Sequence, residues 1–238
     1  MTAIAPAPAP SFASVVLDAS AGPGHRVLDL TLRDARSAHA LAASCLEVYR
    51  TADDPRFLDE APVLAHDLPL TVRRLLNSAR RDGGARVTVI RGNVVDQAAL
   101  GATPGHWSEA DTEASRVYGT LLVLYAALLG DVTGRATRQA GRPVTDVLPG
   151  PYAEDALSPY RPDWVGLFAL RDGGGMPAAV AHVAVHRADV AVPTGAVCFV
   201  DNRDVAHGRD SLPAESGVGD RWLKRVDVLR DLRRTPAG

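Results

Sequence analysis

Residues 199–225 carry more chemically competent side chains than any other stretch of the chain. They read Phe-Val-Asp-Asn-Arg-Asp-Val-Ala-His-Gly-Arg and, after a gap, Gly-Asp-Arg-Trp-Leu-Lys-Arg. His207 is a metal-type ligand, and Arg221 and Arg225 are two cations downstream of it. Non-haem Fe(II) favours two imidazoles and one carboxylate on one face, with open positions for a chelating cosubstrate and oxygen. An arginine in the same cavity suits the far carboxylate of such a cosubstrate, because its fork binds carboxylates through two parallel hydrogen bonds. The best upstream carboxylate is Glu154, in Pro-Tyr-Ala-Glu-Asp-Ala. Each residue also has a plainer reading. A lone histidine after a strand is more often a hydrogen-bonded structural residue, Glu154 beside Asp155 could be a solvated acidic turn, and Arg221 and Arg225 could be exposed positions paired with Asp220 or Asp227. His182 and His186 would share one face of a helix and could then supply a further imidazole, but 181–185 reads as strand, where residues four apart stand ~13 Å apart, too far to chelate one ion.

The elements that must position these groups fall into two halves. Helical spacing of apolar residues predicts amphipathic helices over 34–49 and 69–81, and a longer buried helix over 113–129 that begins after a capping-box-like Ser108-Glu-Ala-Asp. Residues 85–92 read as a buried strand. The stretch 133–148 is polar and extended, 162–170 is strand-like, 180–185 alternates, and 189–200 supplies one or two more strands. His207 is expected just past a strand end, on a turn sharpened by Gly208. Helices first and strands later imply an α+β domain in which helices cover a largely antiparallel sheet or barrel.

Composition sets the boundaries. With 238 residues, 46% of them hydrophobic, the chain suits one large domain over 11–238, preceded by a disordered Ala/Pro tail over 1–10. A formal charge of −2, from 26 basic and 28 acidic residues, gives no broad footprint for nucleic acid or an anionic membrane. No apolar run reaches the ~18 to 20 residues of a membrane span. Cys45 and Cys198 read as separate buried thiols, which fits a cytoplasmic setting.

Taken together, Asp201-Asn202-Arg203, His207-Gly208-Arg209 and Asp220-Arg221-Trp222-Leu223-Lys224-Arg225 resemble the C-terminal signature of the clavaminate synthase-like Fe(II)/2-oxoglutarate oxygenases, a branch that includes arginine and asparagine β-hydroxylases. Glu154 through Leu167 resembles the segment after that family's first metal ligand. The resemblance implies a double-stranded β-helix, or jelly-roll barrel, with flanking helices. It implies Fe(II) and 2-oxoglutarate as cofactors and an amino acid or related small metabolite as the substrate to be hydroxylated. By position, His207 and Glu154 become metal ligands, and Arg221, fourteen positions after His207, becomes the residue for the 2-oxoglutarate C5 carboxylate. Arg225 would support it or the substrate, and Gln139 falls near a substrate-contacting position. Two departures stand out. Tyr152 occupies the place of the first metal histidine, and a phenol with a pKa near ~10 is a poor neutral-pH ligand for Fe(II). The segments that cap the substrate in the family are short here. A degenerate member that keeps the fold without redox activity, as a non-oxidative enzyme or a binding protein, is the competing reading. A homo-oligomer covering the shortened cap is a third.

Overall fold

The computed structural model describes residues 25–81, 86–134, 139–148, 162–173, 178–182, 187–190, 192–202, 205–207 and 220–230, and in 178–182, 187–190 and 205–207 it describes the backbone alone. The expected tail, Tyr152, Glu154, His186 and Gly208 lie outside the described residues.

Strand β1 (His25–Asp29) leads into helix α1 (Leu32–Tyr49), whose cap Thr31 accepts from the Asp34 amide and which ends at Arg50 in a left-handed conformation. Helices α2 (Pro55–Leu64) and α3 (Leu70–Arg81) follow, then β2 (Val87–Arg91), the single turn α4 (Gln97–Leu100), and α5 (Glu113–Ala127). The strands β3 (Asp131–Thr133), β4 (Val144–Val147), β5 (Trp164–Asp172), β6 (Ala178–His182), β7 (Arg187–Val190), β8 (Val197–Asp201), β9 (Val205–His207) and β10 (Arg221–Leu229) complete the chain. The helices-then-strands order and the α+β class therefore hold.

Helix α2 lies in a stretch to which the sequence reading assigns no element; Pro55 sits in its first turn behind the cap Asp54, where a missing N–H costs nothing. Two local expectations change. Helix α5 starts at Glu113 as expected, but its cap differs: Thr112 and Ser115 form the reciprocal capping box, while Ser108 belongs to a 3-10 turn over Trp107–Glu109. His207 is the last residue of β9, in register with Val180, rather than a turn residue beyond a strand.

Seven strands form one sheet in the order β1-β2-β8-β5-β10-β3, with β4 also beside β10. Only the β1/β2 pairing is parallel. A three-stranded antiparallel sheet, β7-β6-β9, stands apart from that path. The large sheet is buried on both faces. Leu28, Ile90, Phe168, Phe199, Trp222 and Val226 pack with α1, α2, α3 and α5 in one core. Val27, Val89, Val165, Leu167, Cys198 and Leu223 form a second core on the opposite face. Two-sided burial explains why these strands read as nearly continuous apolar runs. The turn before β8 is fixed by Asn93, whose amide nitrogens in backbone and side chain both donate to the Gly195 carbonyl, at 3.0 and 2.9 Å, while Tyr125 donates to Asn93 Oδ1 at 2.7 Å. Gly195 has φ +81, and a Cβ there would lie 2.6 Å from Asn93 O, so no other residue fits.

Both cysteines are buried and free, as expected. Burial pushes the Cys198 thiol up to about 12 and raises Cys45 as well, by burial first and the nearby Asp67 charge second. Thiolate is the reactive form, so neither thiol should react with Ellman's reagent at pH 8 in the native protein, and two should react after unfolding in guanidinium. Fast native labelling of Cys198 would contradict the placement of β8 between two cores.

Candidate functional site

Strand β10 carries four ionisable residues in an element that is buried throughout. Arg221 is 3% exposed, Lys224 2%, Arg225 1% and Asp227 6%. Alternation along the strand sorts them between faces. Trp222, Val226 and Val228 belong to the helix-side core, so Lys224 faces that way. Leu223 belongs to the second core, so Arg221, Arg225 and Asp227 share its face. A register shift against β5 falls between Trp222 and Leu223.

On the second face, Arg225 donates to Asp227 Oδ1 through Nε at 3.0 Å and through one terminal nitrogen at 2.7 Å. Arg221 stands at the start of the strand, opposite Asp172, where the chain turns at Gly173. A Cβ at Gly173 would come 3.1 Å from the Arg221 Cβ, and its φ is +68, so glycine lets the turn close over the arginine stem. Four residues of strand put Arg221 and Arg225 ~13 Å apart along the backbone, too far for both to grip one carboxylate group.

On the helix face, Lys224 Nζ lies 2.7 Å from Asp146 Oδ1, the two side chains being 3% and 0% exposed. Trp222 Nε1 donates to the same oxygen at 2.8 Å, and Lys224 Nζ also reaches the Ala110 carbonyl, just ahead of α5, at 3.3 Å. Burial lowers the Lys224 pKa, and the Asp146 charge opposes that shift. Asp146 is placed by Gln139, whose side-chain amide donates to the Asp146 carbonyl at 2.7 Å and accepts from its amide at 3.0 Å. Gln139 and Ala140 have φ of 38 and 60, a left-handed turn that this paired contact holds. Beside it, Arg142 reaches Asp53 at 2.6 Å, and Asp53 accepts from the Val144 amide at 3.0 Å.

The structure therefore places Arg221 and Arg225 on one buried face of one strand and removes the solvent-exposed reading of both. Arg225 does pair with Asp227; Asp220 pairs instead with Arg171, at 3.2 Å. Gln139 is engaged with the backbone of Asp146. His207 is positioned by its backbone in β9. Among the described residues no group of three or more His, Cys, Asp or Glu side chains could hold a metal ion, and Glu154 and Tyr152 fall outside them. Asp146 and Lys224 were not singled out from sequence. The usable signal was a lysine in the middle of an apolar strand, which requires a buried counter-charge.

A sheet buried on both faces, with helices over one of them and a buried arginine at the head of the last long strand, is the architecture for which comparison with solved structures finds non-haem iron oxygenases as neighbours. The chain is a homologue of non-haem iron amino-acid oxygenases and fits the clavaminate synthase-like Fe(II)/2-oxoglutarate family that its motifs resemble. It is 33% identical over 167 residues to an L-ornithine/L-arginine 3-hydroxylase of Catenulispora acidiphila, covering 62% of this chain and 48% of that one. It is 32% identical over 174 residues to the enduracididine beta-hydroxylase of Streptomyces hygroscopicus, covering 63% and 50%. The L-asparagine oxygenase of Streptomyces coelicolor is 25% identical over 315 residues, covering 92% and 94%. Among solved structures, the non-heme iron oxygenase OrfP with Fe superposes with a TM-score of 0.76 at 28% identity, covering 87% of this chain and 95% of that one. Its complex with Fe and L-Arg gives 0.77 at 26% over the same shares. The matches to the two hydroxylases span about half of those proteins' length. No family model matches the chain.

Breaking a buried ion pair by removing one partner costs about 3–5 kcal/mol. Asp146→Asn should destabilise the fold by that order, read from denaturant unfolding. It should also add a pH signature. Without its counter-charge, the folded-state pKa of Lys224 falls further below its ordinary value of 10.5. The unfolded chain then binds a proton the folded chain lacks, so the variant's stability should rise as pH goes up through that window. A variant that loses stability equally from pH 7 to pH 9.5 would argue against the contact.

Proposed function

We propose that this chain is a non-haem Fe(II)/2-oxoglutarate-dependent oxygenase that hydroxylates an amino acid of the arginine or ornithine type. The observation that supports it most is the combination of Arg221, buried on the second face at the expected distance in sequence from His207, with homology to an L-ornithine/L-arginine 3-hydroxylase and to OrfP bound to Fe and L-Arg. On this reading the seven-stranded and three-stranded sheets are the two halves of a double-stranded β-helix, and the second core lines the space between them.

The residues present fit the cosubstrate well. Arg221 is a fork-shaped donor in an apolar wall formed by Leu223 and its neighbours, so it would hold the C5 carboxylate of 2-oxoglutarate through two hydrogen bonds in a setting of low dielectric. Arg225, braced by Asp227 and displaced along the strand, would face the substrate's carboxylate instead. The metal donor set is His207 and Glu154, an imidazole and a carboxylate, with the Tyr152 phenol in the third position, where its proton must leave before it can ligate. Bound iron would supply the capacity to use oxygen against an unactivated carbon. In the net reaction one oxygen atom enters succinate as 2-oxoglutarate loses carbon dioxide, and the other enters the substrate's C–H bond. The two cores' contribution is to exclude water from that exchange.

Anaerobic titration of the protein with Fe(II) and 2-oxoglutarate should produce a metal-dependent binding signal, and aerobic incubation with L-arginine or L-ornithine should yield succinate and a product heavier by one oxygen. Chelation of iron should abolish both. Arg221→Ala should raise the KM for 2-oxoglutarate by about 10- to 100-fold, the value of a charged hydrogen-bonding group. Tyr152→His should tighten Fe(II) binding. Absence of any Fe(II)-dependent 2-oxoglutarate binding in both the parent and Tyr152→His would defeat the proposal.

A further inference from the structure

Helix α3 places four arginines, Arg73, Arg74, Arg80 and Arg81, in twelve residues without a single carboxylate. Its apolar positions Val72, Leu75, Leu76 and Ala79 are buried in the helix-side core, so the polar face looks outward, and the large sheet separates it from Arg221 and Arg225. A cleft of about 490 Å³ runs along that face, lined by His66, Leu70, Arg73, Arg74, Asn77, Ser78 and Arg81. At its side, Arg26 from β1 donates to the Ser78 hydroxyl and brings a fourth arginine beside the three that line the cleft.

An ordinary solvated helix face intersperses both signs of charge, and six arginines elsewhere in this protein are paired with carboxylates. Arg56, Arg116, Arg142, Arg171, Arg225 and Arg230 each have a carboxylate partner within 3.2 Å. Among the described residues, none of the four α3 arginines has one. Arg73 Nε, like one nitrogen each of Arg91, Arg221, Arg225 and Arg230, is shielded from solvent with no hydrogen-bond partner among the described residues. None of the described lining residues is acidic, and their polar groups are guanidinium forks, an imidazole, an amide and a hydroxyl, all able to donate.

We infer that this cleft binds a compact polyanion of the diphosphate class. Arg74 and Arg81 are seven residues apart, about 10.5 Å along the helix, so their side chains can close on a two-centred anion lying between them. Each phosphate group offers several oxygens to a guanidinium fork, and two linked groups use both ends of the cleft at once. The volume lies in the range of small-molecule sites and is larger than one phosphate needs. At the N-terminal end, His66 and the 47% exposed Leu70 form a less charged surface that a nucleoside could cover.

The test is calorimetric titration of the full chain with sodium pyrophosphate and, separately, with ADP, at low salt. Binding of either probe is expected, weakening steeply with added salt. Arg74→Ala/Arg81→Ala, both exposed positions, should weaken it at least tenfold. Arg80→Ala removes the same charge from the same helix outside the cleft, and Arg221→Ala removes a cation from the opposite face of the sheet; each should change it less than twofold. Asn77→Asp, which adds a carboxylate to the lining, should act like the double variant. ADP tighter than pyrophosphate would assign the His66–Leu70 end to a nucleoside, and equal affinities would assign the site to the diphosphate alone. No binding at millimolar pyrophosphate or ADP overturns the inference, as does an equal loss in Arg80→Ala, which would mean diffuse attraction, or a loss confined to Arg221→Ala, which would place the anion on β10.

Discussion

Everything on the last long strand depends on one constraint: β10 is buried on both faces and still carries Arg221, Lys224, Arg225 and Asp227. Charges leave water only when neutralised at close range. The strand meets this demand differently on each face. Lys224 is neutralised from β4 by Asp146, which also accepts from Trp222, so one carboxylate oxygen serves two positions of β10. Arg225 is neutralised within its own strand by Asp227, two residues on, which lies on the same face by the period of the pleat. Because these contacts fix the strand from both sides, the head of β10 at Arg221 is held without freedom to slip. A register shift of one residue would move every charge to the wrong core.

That constraint also organises the neighbouring segment. Residues 139–143, just ahead of β4, brace the strand that presents Asp146 to the interior. Gln139 does this by gripping the Asp146 backbone from a left-handed turn, and Arg142 anchors the same stretch to Asp53 at the start of α2's approach. A residue that family resemblance places near the substrate is therefore occupied, through its amide, with positioning a structural carboxylate. Its influence on a reaction would run through Asp146 and β10.

The sequence made the elements legible wherever one face or both faces were uniformly apolar: α1, α3, α5, β2, β5 and β8 follow directly from periodicity. It assigned nothing to α2, a ten-residue helix with Pro55 in its first turn and Pro62 inside it, and it misplaced the cap of α5, where a capping pattern at Ser108, four residues early, imitates the true cap at Thr112. For the site, residue types identified Arg221 and Arg225 and the fact that something anionic must meet them. Their burial was not legible, since a strand of alternating charge and apolar residues reads as half-exposed until both faces are known to be covered. The partnership of Asp146 with Lys224 is a contact between positions far apart in sequence, and no local pattern encodes it.

The altered metal motif bears on what each half of the site can tolerate. Anion binding by an arginine depends on a buried, oriented fork, and a strand held on both faces preserves that orientation whatever happens to the metal ligands. Iron binding depends on donor chemistry: exchanging an imidazole for a phenol replaces a neutral ligand available at pH 7 with one that must first lose a proton near ~10. A metal ion itself lowers the pKa of groups it coordinates, so the phenol can serve only if the ion is already held by the other two donors. On the proposed function the burden would then fall on His207 and Glu154, and on the 2-oxoglutarate that Arg221 would hold, since a chelating cosubstrate brings donors of its own. Under the proposed function, the anion pocket would therefore rest on the fold through β10, and metal affinity would be drawn from the cosubstrate as much as from the protein.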